Sequence, residues 1–166
     1  MAVKTNFNSD EWAKLLQGVM MGGIAVSAAE PSGLWGTLKE SFASARALVE
    51  AKTGAGSSEL IKAVIADFET SEGRTIVGDG LQAKLRGIKP AEVKSKAIDS
   101  LREVSALLDA KAPAEAAPFK AWLHQIGQRV AEAAKEGSFL GFGGVQVSDA
   151  EKVTLTEISN ALGLKG

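Results

Sequence analysis

Apolar residues recur along this chain at intervals of three and four, the spacing that gathers them on one face of a helix. Phe119, Trp122, Leu123, Ile126, Val130 and Ala133 form one such stripe, which closes at Gly137. Leu155, Ile158 and Leu162 form another, followed by Gly163 as a left-handed cap and Leu164 as its apolar follower. Between the two runs a glycine-rich stretch, Gly137 to Val147, that also carries Phe139, Leu140 and Phe142. Ser148 and Glu151 then have the spacing of a capping box, each side chain reaching for the other's amide.

The same reading runs through the rest of the chain. Asn8 and Glu11 make a second capping box, with Phe7 placed to staple against Trp12. Trp12, Leu15, Leu16, Val19, Ile24 and Val26 supply the buried side of the helix that follows. Gly22 and Gly23 interrupt it, at a cost of about 1 kcal/mol each relative to alanine; close approach by another helix is the use expected of them, a kink the alternative. After the break around Pro31 to Gly36, a helix is expected from Thr37 to Lys52, with Leu38, Phe42, Ala45, Leu48 and Val49 inward. Ser57 or Ser58 caps the next, striped by Leu60, Ile61, Val64, Ile65 and Phe68. Gly73 to Gly80 reads as loose, leaving a short helix around Leu81, Leu85 and Ile88. Pro90 suits the first position of a helix running to Asp109 through Val93, Ala97, Leu101, Val104 and Leu108. Ala112 to Pro118 reads as a connector into the Phe119 stripe. No apolar–polar alternation calls for a strand. The expectation is all-α: one compact domain over residues 1–166, a bundle of about seven helices.

Composition narrows the function classes. Nineteen basic and twenty acidic residues leave a net charge of -1, without the basic field that collects on nucleic acid. The chain has no cysteine, which excludes disulfides, thiolate metal sites and cysteine nucleophiles. It also has no tyrosine and a single histidine, His124, set among Trp122, Leu123 and Ile126 without a partner at metal-ligand spacing. That histidine reads as an ordinary helix-flank residue, and few catalytic constellations remain. No enzyme activity and no cofactor are expected. Val19 to Ala29 is too short to span a bilayer, which takes about 20 apolar residues; a soluble, cytoplasmic protein is expected.

Two glycine motifs invite chemistry and fail to support it. Gly141 to Gly144 lacks the preceding strand and the Gly-Lys-Ser/Thr ending of a phosphate loop. Gly78-Asp79-Gly80 is too short for a calcium loop. Asp67, Glu69 and Glu72 read as a solvated face, with a weak divalent site as the alternative.

The glycine–aromatic breaks are the sharper lead. Gly33-Leu34-Trp35-Gly36 follows a small-residue helix and precedes one containing Glu40; the Phe139 to Gly143 stretch follows a helix and precedes one containing Glu151. Either the chain carries a degenerate internal duplication or two short loops happen to look alike. Leu34, Trp35, Phe139, Leu140 and Phe142 either fold back to plug the bundle ends or form an apolar patch that docks a partner.

From Ile126 onward the order of features resembles the tellurite-resistance TerB-like family, which includes the N-terminal region of the membrane-anchored co-chaperone DjlA. The residues that carry the resemblance are Gly144 to Glu151 and Ala161-Leu162-Gly163-Leu164: a glycine turn, a small apolar residue, serine, glutamate three residues on, then a helix ending in Leu-Gly. Gly143 stands where the family has an acidic residue, and Ser138 to Phe142 are extra. In the first unit the matching turn runs from Ala29 through Glu30 to Gly33, and Glu40 matches the capping acid. The resemblance implies a non-catalytic helical module in a stress-response or metal-related assembly, with a protein partner and a place near the inner face of a membrane. It also makes Glu30, Glu40, Asp149 and Glu151 the candidates for a divalent metal. A small-molecule or lipid carrier, with an apolar cavity opened by the glycine pairs, is the alternative.

Overall fold

The computed structural model describes residues 4–28, 58–137 and 149–164, excluding the side chains of residues 90 and 132–137. After a short 3-10 turn at Lys4–Asn6, the described residues form six helices: α1 (Ser9–Ala28), α2 (Glu59–Glu69), α3 (Ser71–Leu85), α4 (Pro90–Lys111), α5 (Pro113–Gly137) and α6 (Asp149–Ala161). The described residues contain no strand, so the all-α reading stands. The helix expected over Thr37–Lys52 lies outside them, as does most of each glycine–aromatic break.

Local chemistry sets most helix ends. The Asn8 amide donates to Glu11 Oε2 at 2.9 Å, and the Glu11 amide donates to Asn8 Oδ1 at 2.8 Å. Phe7 packs on Trp12 with ring centroids 5.9 Å apart, completing the staple. Ser58 Oγ accepts from the Ile61 amide at 3.1 Å, which selects Ser58 as the cap of α2. At the end of α6, Gly163 takes φ +70°. Its amide donates to Asn160 O at 3.1 Å, and the Leu164 amide donates to Ser159 O at 2.9 Å. Those two bonds are a Schellman motif, which satisfies carbonyls that the last helical turn leaves open.

α1 is the centre of the bundle. Met20, Met21 and Ala25 are buried along with Trp12, Leu15, Leu16, Val19, Ile24 and Val26, so the helix is enclosed on nearly all sides rather than on one face. Its glycines admit its neighbours. A Cβ at Gly22 would stand 3.3 Å from Leu123 O and 3.6 Å from Gly127 Cα, so the two backbones of α1 and α5 run almost in contact. Val130 fills the space above Gly23 and Val104 the space above Gly18. The glycines therefore serve close approach. The room they open is occupied by helix, not left as a cavity for a ligand.

Two expectations change. The stretch Gly73–Gly80 is not loose but lies within α3. Thr70 ends α2 and starts α3 at once: its hydroxyl accepts from the Gly73 amide at 2.9 Å and donates to Asp67 O at 2.6 Å. Gly73 is glycine because a Cβ there would collide with the Asp67 carbonyl. Likewise, Ala112–Pro118 is not a connector. Ala112 alone joins α4 to α5, and Pro113 takes the first helical position that its missing amide suits. Burial of Val77 and Leu81 outweighs the weak helix propensity of the glycine stretch, and the alanines of the second stretch, with Ala116 buried, carry the helix past Pro118 in its interior.

Candidate functional site

The five predicted partner-binding residues, Leu34, Trp35, Phe139, Leu140 and Phe142, lie outside the described residues, as do Glu30 and Glu40. Asp149 opens α6 and is exposed. Glu151, two residues on, is only 3% exposed. Its capping-box partner Ser148 lies outside the described residues. No group of three or more His, Asp or Glu is placed to hold a metal among the described residues.

What the fold does fix is where the two glycine–aromatic segments begin. The first follows Ala28 at the end of α1, the second follows Gly137 at the end of α5. These helices meet at Gly22–Gly127 and Gly23–Val130. With a rise of about 1.5 Å per residue and helix axes about 8–10 Å apart, Ala28 and Gly137 stand within roughly 25 Å of each other at any crossing angle. Sequence reasoning linked the two segments only by likeness. Their shared helix pair is a tertiary fact.

Several polar side chains are organised by the bundle. Asp67 Oδ2 accepts from Lys4 Nζ and from the Trp12 indole, both at 2.6 Å, with the ammonium 5.6 Å from the ring centroid. Burial pushes the Asp67 carboxyl up, but the Lys4 and Trp12 bonds outweigh it and hold the group below its usual range. Asp67 therefore clamps the chain start to α2 instead of joining Glu69 and Glu72 on a solvated face. Glu115 is buried on α5 and accepts from the Leu60 amide at 2.9 Å, so that α5 caps the start of α2 beside Ser58. Lys84 on α3 donates to Ser100 Oγ on α4 at 3.1 Å. Nothing local marks Glu115 or Lys84. A glutamate after Pro113 and a lysine in a glycine-rich run look like surface residues until the fold brings up their partners.

A shallow groove of about 170 Å³ runs between α4 and α6, lined by Lys94, Ser95, Ile98, Asp99, Arg102, Glu157 and Asn160. Its charges are already matched, Lys94 with Glu157 at 2.6 Å and Arg102 with Asp99 at 2.9 Å. His124 is half-buried on α5. The described surface is polar, with Val153 its one exposed large apolar side chain. No described helix is long and apolar enough to cross a membrane. No protein-family model, curated protein or solved structure matches this chain.

Proposed function

We propose that the chain is a TerB-like helical interaction module that docks a protein partner through its two glycine–aromatic segments. The observation that carries this reading is the helix pair α1–α5. Because Gly22 and Gly127 draw these helices together, both segments continue from two helices that touch, at ends within roughly 25 Å of each other. Leu34 and Trp35 on one, with Phe139, Leu140 and Phe142 on the other, can then contribute to one apolar surface. The polar character of the described surface supports assigning docking to those segments. By its resemblance to the TerB-like family, the assembly served is a stress-response or metal-related one near the inner face of a membrane. The module's part in it is binding, not catalysis.

A triple substitution, Trp35→Ala with Phe139→Ala and Phe142→Ala, tests the reading. Thermal melting should stay within a few degrees of wild type, while affinity for the partner that co-purifies with the native chain falls by roughly 30-fold or more, the loss that goes with removing aromatic anchors. A collapsed melting point would mean that the aromatics plug the core, and docking through them would be ruled out.

A further inference from the structure

α3 holds the core by less than its neighbours do. Gly73, Gly78 and Gly80 occupy three of its fifteen positions, and Val77 and Leu81 are its buried apolar side chains, with Ile76 and Leu85 partly buried. α1 buries nine apolar side chains and α4 six. What α3 covers is also poorly suited to being covered. Gln17 on α1 is 7% exposed and lies against Gly80, and its Oε1 has no hydrogen-bond partner among the described residues. Lys84 is half-buried, and its ammonium meets a neutral hydroxyl, Ser100 Oγ at 3.1 Å on α4.

We infer that α3 is a hinged cover, which lifts from α1 and α4 and unwinds between Thr70 and Gly87 while the other helices stay packed. Lifting exposes Val77 and Leu81 to water, which opposes it. The same motion lets water donate to Gln17 Oε1 and surround the Lys84 ammonium, two polar groups whose burial works against the closed state. Once lifted, the segment does not persist as a helix: it is short, and its glycines disfavour helix when nothing packs on it. Its ends suit a hinge. Thr70, at φ -75° and ψ 153°, already interrupts the helical run between α2 and α3. Gly87 takes φ +73°, with nothing within 4 Å of where a Cβ would stand. Opening uncovers the Gln17 amide of α1 and the Ser100 hydroxyl of α4, both hidden in the closed bundle. The inference does not depend on docking through the aromatic segments.

Hydrogen exchange of the native full chain, in urea below the unfolding transition, tests it. Amides over residues 76–85 should exchange at least about 30-fold faster than the slowest amides of α1 and α4, each normalised to its unfolded rate. Their rates should also depend less steeply on urea, because lifting one helix exposes less surface than unfolding the chain. Val130→Ala, at the α1–α5 seam, should speed the slowest amides of α1 and α5 by about 5-fold or more and leave those of α3 within about 2-fold. Gly78→Ala, whose added carbon meets nothing within 4 Å, should slow the α3 amides by up to about 5-fold through helix propensity alone. Equal rates and equal urea dependence in α1, α3 and α4 would overturn the proposal. So would acceleration of α3 by Val130→Ala to the same degree as α1, or α3 rates unmoved by Gly78→Ala.

Discussion

The two sides of α1 use glycine for opposite ends. Towards α5, Gly22 meets backbone: Leu123 O and Gly127 leave no side chain that can swing away. Towards α3, Gly80 makes space for the side-chain amide of Gln17, which lies against it. The first contact is an apolar seam between two rigid rods. The second is a polar corner, where Gln17 is buried yet its Oε1 has no hydrogen-bond partner among the described residues. The difference teaches that a glycine's importance here depends on what faces it. A carbonyl cannot retreat, but the end of a glutamine can.

The largest expected effect lies at the seam. Gly22→Leu must force α1 and α5 apart, and should cost about 3 kcal/mol or more. Urea denaturation would show it as a lower midpoint with an unchanged slope; an unaltered midpoint would mean that the seam is compliant after all.

An intermediate effect is expected where polar groups are satisfied, at the clamp between the chain start and α2. Asp67→Asn removes the charge that Lys4 and Trp12 engage, at a cost of about 1–2 kcal/mol at neutral pH. Because the folded carboxyl is held low, its contribution is fully present above the unfolded value of about 3.9 and is lost as pH falls through the folded value. The stability difference between wild type and Asp67→Asn should therefore shrink in acid, with Trp12 fluorescence reporting the release. A difference that stays constant from neutral pH to pH 3 would contradict the clamp.

The smallest effects belong to the polar corner. Gly80→Ala should fall within about 0.5 kcal/mol of neutral, since the gain in helix propensity offsets the displacement of Gln17. Gly78→Ala, with nothing within 4 Å of its added carbon, should stabilise by up to about 1 kcal/mol. A loss at Gly80→Ala as large as that at Gly22→Leu would erase the contrast between the two sides.

Much of the fold was legible in the sequence, and little of the candidate site. Asn8–Glu11, Ser58 and Gly163–Leu164 act where their spacing puts them, because capping is completed within four or five residues. Gly73–Gly80 and Ala112–Pro118 were misleading for the complementary reason. The glycines of the first and the prolines of the second read as breaks, but packing of Val77 and Leu81 into the core holds the first as helix, while Pro113 sits at a helix start and the alanines around the buried Ala116 carry the second past Pro118.

The order of stripes and caps thus determined the helices themselves, since helical periodicity and end chemistry are local. Three matters were left to the tertiary structure: which helix each glycine admits, that α1 and α5 deliver both aromatic segments from one pair, and that Glu115 and Lys84 find the partners they do. Each depends on residues tens of positions apart being brought together. No spacing along the chain encodes that, because it is burial of the shared core that selects the arrangement.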